Sequence, residues 1–223
     1  MLNLTVKDLV LESASGRRLL DIPLLEVPAG GSLAIKGGSG AGKSTLLFAL
    51  AGLSSITAGS VQWGAETLSA MTEDERTAFR GEKVGLVFQD NFLFEELSAP
   101  GNASLAALYA PRKARTGIRK AASVALRTLG LSDSGARNVE SYSGGERQRV
   151  AVARALSTNP AIVLADEPTA SLDRATADAL ISDLMGEAKA RDQTVIVASH
   201  DPALLAATDR VVTLEDGRLL SEG

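Results

Sequence analysis

Between the apolar run Leu33-Ala34-Ile35 and the apolar segment Leu46-Leu47-Phe48-Ala49-Leu50 lies the stretch Gly37-Gly38-Ser39-Gly40-Ala41-Gly42-Lys43-Ser44. Strand, glycine loop and helix, with the spacing G-x-x-x-x-G-K-S, make a phosphate-binding loop. Backbone N–H groups can curl around phosphate oxygens only where side chains leave the concavity clear, which the glycines ensure. The helix N-terminus after Gly42 adds unsatisfied donors and partial positive charge. Lys43 is placed to reach the β- and γ-phosphates of a nucleotide, and Ser44 to put its hydroxyl on Mg²⁺. Thr45 completes the stretch expected to hold the nucleotide.

The rest of the composition is compatible with that reading and narrows it little. A chain of 223 residues suits one large domain with a subdomain. No apolar run approaches the length of a bilayer span, and Asn3, Lys7 and Asp8 break any apolar leader near the start. The absence of cysteine excludes disulfides and thiolate metal sites and agrees with a cytosolic address. A formal charge of -4 and a pI near 5.2 argue against an extended nucleic-acid surface.

Alternation of apolar residues predicts short strands through residues 2 to 36, at Leu2 to Val6, Leu9 to Leu11 and Leu19 to Val27, with Pro23 and Pro28 confined to edges or turns. After the loop's helix, Ala58-Gly59-Ser60 reads as punctuation and Val61-Gln62-Trp63 as a strand. Thr72 and Glu75 form a capping box that opens a helix to about Arg80. Val84 to Phe88 is a buried strand that stops at Gln89. From residue 90 to 142 strand signals vanish: Ile118, Ala122, Ala125, Leu126 and Leu129 follow helical spacing, Gly130 is a C-cap, and Pro100, Gly101, Pro111 and Ser132 to Gly135 mark loops. A helix from Glu146 to about Ser157, a strand at Ala161 to Ala165, a helix from Arg174 to Ala190 and a strand at Thr194 to Ala198 follow. A short helix near Pro202 to Ala207 and a hairpin turning at Glu215-Asp216-Gly217 complete the chain. Strands alternating with helices predict an α/β fold with a mostly parallel sheet.

In such sheets ligands gather beyond the carboxyl ends of the strands. Four predicted strands end in residues suited to phosphoryl chemistry: the phosphate loop, Gln89, Asp166-Glu167 and Ser199-His200. Asp166 is expected to hold Mg²⁺ and Glu167 to deprotonate the attacking water. His200, the one histidine, is expected to contact the γ-phosphate and that water, and Gln89 to ligate Mg²⁺. A second bare helix N-terminus opens at Ser143-Gly144-Gly145, so a two-fold dimer in which each copy caps the other's nucleotide accounts for both anion sites.

These residues together resemble the ATP-binding cassette of ABC transporters. The resemblance rests on Gly37 to Ser44, Gln89, the signature Tyr142-Ser143-Gly144-Gly145-Glu146-Arg147-Gln148, Ile162 to Glu167, Ser171-Leu172-Asp173 and His200. It implies a P-loop NTPase with an N-terminal antiparallel β subdomain and an inserted α-helical subdomain. Residues 1–89 and 158–223 would form the core and 90–157 the helical part. It implies an ATPase working as a head-to-tail homodimer with ATP and Mg²⁺ at the interface, where Ser143 and Gly145 contact the partner's γ-phosphate and Asp173 lies beside the nucleotide. It also implies that residues 90 to about 140 dock a transmembrane permease, placing the subunit on the inner face of the cell membrane. Residues 80–89 (RGEKVGLVFQ) are similar to the lipoprotein-release and macrolide-export branch and to the neighbouring cell-division branch, so a regulatory switch without transport is the alternative.

The chain departs from that family at two places. No aromatic residue precedes Phe48, where the family carries a ring that stacks on adenine, so weak discrimination between ATP and GTP is expected. Leu97-Ser98-Ala99-Pro100-Gly101-Asn102 also replaces the family's usual residues on the expected permease face.

Overall fold

The computed structural model describes residues 1–131, 137–170 and 172–220. The loop expected at Ser132 to Gly135 and Ser171 of the expected nucleotide loop lie outside the described residues. Two sheets organise the fold. The first is antiparallel and built from β1 (Leu4–Glu12), β2 (Arg18–Val27), β4 (Ala58–Trp63) and β5 (Glu66–Thr67), in the order β2-β1-β4-β5. The second runs β10-β9-β3-β8-β7-β6, comprising β3 (Ser32–Lys36), β6 (Val84–Val87), β7 (Ile162–Asp166), β8 (Thr194–Ala198), β9 (Arg210–Glu215) and β10 (Arg218–Leu219). Its pairings are parallel except between β9 and β10. The architecture is therefore α/β with a mostly parallel core sheet and an antiparallel N-terminal sheet.

In β1 the inward residues are Leu4 and Val6, then Leu9 and Leu11, so the alternation slips by one at Asp8. Asp8 has φ +48, and the pairing of β1 with β4 shifts register between Lys7 and Val10. The bulge joins what the sequence pattern reads as separate pieces into one strand. Gly59 faces it with φ +80, and a Cβ there would lie 2.1 Å from the Asp8 carbonyl oxygen. Gly59 thus belongs inside β4 and does not punctuate it. Pro23 sits within β2, an edge strand of this sheet, where its missing N–H breaks no ladder on the open side.

Every residue of β7 and β8 is buried, as expected for strands covered on both faces. Ile162 and Leu164 face the core shared with the first sheet and α1 (Lys43–Leu50), while Val163 and Ala165 face the core built with the later helices. Those helices are α4 (Arg112–Thr128), α5 (Gly144–Leu156) and α6 (Arg174–Ala190). The expected inner face of α6, Ala177, Leu180, Ile181, Leu184 and Ala188, is the one buried. Helix α4 ends in a Schellman motif: Gly130 has φ +72, and Leu131 N–H reaches the Leu126 carbonyl at 2.8 Å.

Helix α2 (Glu73–Lys83) carries the Thr72–Glu75 capping box and runs about one turn past Arg80. Pro100 and Gly101, read from the sequence as loop markers, lie instead inside α3 (Ala99–Ala103), where a proline near the N-terminus gives up no needed N–H. What orders α3 is Asn102: fully buried, it accepts from Phe94 N–H at 2.8 Å and donates to Phe94 C=O at 2.9 Å. After α7 (Pro202–Ala206), the last hairpin turns on Asp216 and Gly217, both at positive φ, with Glu215 still in its strand. Among the described residues no helix is long and apolar enough to cross a membrane.

Candidate nucleotide site

Helix α1 starts without a side-chain cap: its N-cap is Gly42 at φ +101, and no hydroxyl or carboxylate takes up the first N–H donors. Those donors stay available to an anion. Two of the loop's glycines are sterically required, because a Cβ on Gly37 would stand 2.3 Å from the Leu214 carbonyl oxygen and one on Gly42 would press on Leu20. The loop opens into a cleft of about 600 Å³ lined by every residue from Gly37 to Thr45, with Gln89, Asp166, Glu167 and His200. Parallel pairing of β3, β8, β7 and β6 puts all four strand ends on one edge, which brings these residues together from positions up to 163 apart in sequence.

Lys43 Nζ donates to the carbonyls of Gly37 (2.8 Å) and Gly38 (3.3 Å) and stands 3.6 Å from the Glu167 carboxylate. Asp166 is buried at the end of β7. Burial pushes its carboxyl above the usual carboxylate range and the Glu167 charge adds to this, while the Ser44 hydroxyl and Lys43 pull it back. One of its oxygens, Oδ1, is buried with no hydrogen-bond partner. An orphaned hard oxygen beside the Ser44 hydroxyl fits Mg²⁺, which takes one or two protein ligands and completes its shell with phosphate and water. No group of three or more His, Cys, Asp or Glu side chains among the described residues is arranged to hold a metal unaided.

Glu167 occupies the left-handed region at φ +43, unusual for a non-glycine residue. Its N–H bonds the Ala198 carbonyl at 2.9 Å, which holds it against the end of β8. Its carboxylate lies 3.1 Å from His200 Nδ1 and accepts from Ser199 Oγ at 3.4 Å. The His200 side chain is largely exposed at the cleft mouth.

The segment after Gln89 is fixed from two sides. Phe88 packs on Phe48 of α1 (centroids 6.1 Å apart) and on Phe92 (5.5 Å, edge-on). Arg154, near the end of α5, donates to the carbonyls of Phe92 (2.6 Å) and Asn91 (2.7 Å). The helix that begins at Ser143 therefore grips the backbone beside Gln89. Nothing local in the sequence signals Arg154, because its partners lie more than 60 residues away.

Ser143, Gly144, Gly145 and Asp173 do not line the cleft. Ser143 and Glu146 form the expected capping box, and Arg137 braces it by pairing with Glu146 at 2.8 Å and covering the Tyr142 ring at 4.0 Å. Gly145 has a packing reason of its own: a Cβ there would meet Thr176 Cγ2 at 2.8 Å. Asp173 caps α6 through Thr176, accepting from its N–H at 3.1 Å and its hydroxyl at 2.6 Å. Cleft-lining residues that sequence reasoning missed are Arg17, Leu19 and Ala170. Gly217 was missed as well: it accepts from Asp21 N–H and donates to Ala41 C=O, tying β2 to the phosphate loop.

Comparison with known proteins agrees with this geometry. The ABC transporter family pattern matches residues 20–170. The chain is 39% identical over 201 residues to the lipoprotein-releasing system ATP-binding protein LolD of Chromohalobacter salexigens, covering 90% of this chain and 84% of that one. It is 37% identical over 198 residues to the macrolide export ATP-binding/permease protein MacB of Rhodopseudomonas palustris, covering 89% of this chain but 30% of that longer protein. The dimeric post-hydrolysis structure of the ATP-binding cassette MJ0796 bound to ADP and Pi superposes with a TM-score of 0.88 at 31% identity, over 99% of this chain and 97% of that one. With its phosphate loop, strand-end carboxylates and signature helix set on the same fold, the chain belongs to the ABC transporter family, as an ATP-binding and ATP-hydrolysing cassette.

Proposed function

We propose that two copies of this chain close head to tail around two Mg·ATP molecules, and that hydrolysis reopens them to drive a membrane permease. The observation that carries this is the separation of the two anion-binding helix starts. The α1 start lies in the cleft, whereas Ser143 to Gly145 lies outside it. A second copy supplies what the first lacks, as a two-fold arrangement requires. That the ADP- and Pi-bound relative is dimeric supports the pairing of two copies.

Within each site, backbone N–H groups from Gly37 to Thr45 cradle the phosphates. Lys43 leaves its carbonyl partners to neutralise the β- and γ-phosphates. Ser44, Asp166 and Gln89 would hold Mg²⁺, which when bound would shield the negative charge of the phosphates. Glu167 takes a proton from the attacking water, its carboxylate aimed by Ser199 and His200. Ser143 and Gly145 of the partner copy cap the γ-phosphate, with Asp173 beside them. Loss of that phosphate removes the contact that favours the closed pair, and differential affinity for the two states supplies the work.

The core of residues 1–89 and 158–223 binds nucleotide, and residues 90–157 carry the permease-docking face, where Phe92, Phe94, Leu108 and Tyr109 are exposed. The subunit then sits peripherally on the inner face of the cell membrane. The lipoprotein-releasing and macrolide-export relatives support a permease partner of that class. The test is oligomeric state: Glu167→Gln with Mg·ATP is expected to elute as a dimer by size-exclusion chromatography and as a monomer without nucleotide. A monomer under both conditions, with no pairing when a co-purified permease is added, refutes the head-to-tail reading.

A further inference from the structure

Beyond the phosphate cradle and the strand-end residues, the cleft has another wall, formed by Arg17 and Leu19 at the entry to β2. Arg17 stands just before β2 and Leu19 lies at its start, where the register with β1 slips, and both residues line the cleft. The platform is anchored through its backbone: Ser13 N–H donates to the Arg17 carbonyl at 2.8 Å, and Arg17 N–H donates to Ser13 Oγ at 3.1 Å. Among the described residues the Arg17 guanidinium makes no hydrogen bond or ion pair, whereas neighbouring Arg18 is held by Asp21. Among the described residues no aromatic side chain lines the cleft. Lys43, Asp166 and Glu167 mark the end where the γ-phosphate sits, which leaves the wall from the first sheet for the base.

We propose that Arg17 lays its guanidinium plane on the purine of the bound nucleotide, with Leu19 beside it, and so serves as the base-holding residue of this cleft. The proposal rests on the nucleotide reading above. A planar, delocalised, weakly hydrated cation stacks on an aromatic face in a way a lysine ammonium does not. Because every base presents a π-face, such a contact favours bases without choosing sharply among purines, so ATP and GTP are expected to bind within a few-fold of each other.

The experiment is calorimetric titration of Mg·ATP and of magnesium tripolyphosphate, which has no base, into the wild type, R17A, R17K and R17F. R17A is expected to weaken Mg·ATP about 3–30-fold and leave tripolyphosphate unchanged. R17F is expected to recover most of the loss and R17K little of it. Equal losses for both ligands would make Arg17 a phosphate contact and overturn the proposal, as would an unchanged affinity of R17A for Mg·ATP or full recovery by R17K. Failure of the wild type to bind either ligand would overturn the nucleotide reading itself.

Discussion

Replacing Glu167 by glutamine separates two roles that one carboxylate combines. The glutamine side chain keeps the volume and one acceptor oxygen, so the contacts with Ser199 Oγ (3.4 Å) and His200 Nδ1 (3.1 Å) survive. What disappears is the proton acceptor and the negative charge 3.6 Å from Lys43. Loss of a positioned general base costs roughly 10²–10⁴ in rate, about 2.7–5.4 kcal/mol in activation free energy. Loss of the charge acts on binding. At an effective dielectric constant of about 20 the gross Lys43–Glu167 attraction is on the order of 4–5 kcal/mol, most of it offset by desolvation of the pair. Freed from that competitor, Lys43 meets the phosphates more readily, so Mg·ATP affinity is expected to hold or tighten by no more than about tenfold. Single-turnover hydrolysis of pre-bound nucleotide, beside equilibrium binding, reads the two effects apart. Hydrolysis near the wild-type rate removes Glu167 from the base role, and a loss of binding equal to the loss of rate refutes the division of labour.

Asp166→Asn tests the metal site with the opposite sign on stability. The folded protein holds the Asp166 carboxyl above its unfolded value, chiefly by burial, so the metal-free fold loses stability as pH rises between the unfolded and folded values. Asparagine removes that cost, so the metal-free melting midpoint at neutral pH is expected to rise above that of the wild type. The gap should close below about pH 4, and stabilisation by Mg·ATP should vanish; a lower midpoint at neutral pH would contradict the burial argument. Arg154→Ala removes two short bonds to the Asn91 and Phe92 carbonyls and is expected to cost about 2–3 kcal/mol in urea unfolding. Its kcat should fall with Gln89 loosened and recover in part in Arg154→Lys. An unchanged kcat despite the stability loss would limit Arg154 to packing.

Much of the fold was legible because its signals are local. Apolar runs marked the strands leading to Asp166 and Ser199, and two capping boxes, at Thr72 and Ser143, marked helix starts that the structure reproduces. The inner face of α6 followed from spacing alone. The misreadings occurred where a distant contact overrides a local preference. Gly59 looks like a turn until Asp8 bulges against it, and Pro100-Gly101 looks like a loop until buried Asn102 orders the segment.

The same division runs through the site. Residue order was enough to specify the phosphate loop and the strand-end residues, because each such feature needs only residue types a few positions apart to set backbone shape and donor supply. Packing in three dimensions was needed to make Arg17 and Leu19 a wall of the cleft, to tie β2 to the loop through Gly217, and to set Arg154 on the backbone beside Gln89. Packing also left Ser143 to Gly145 outside the cleft. Those facts depend on segments far apart in sequence meeting in space, and only burial of the two cores around the parallel sheet fixes which segments meet.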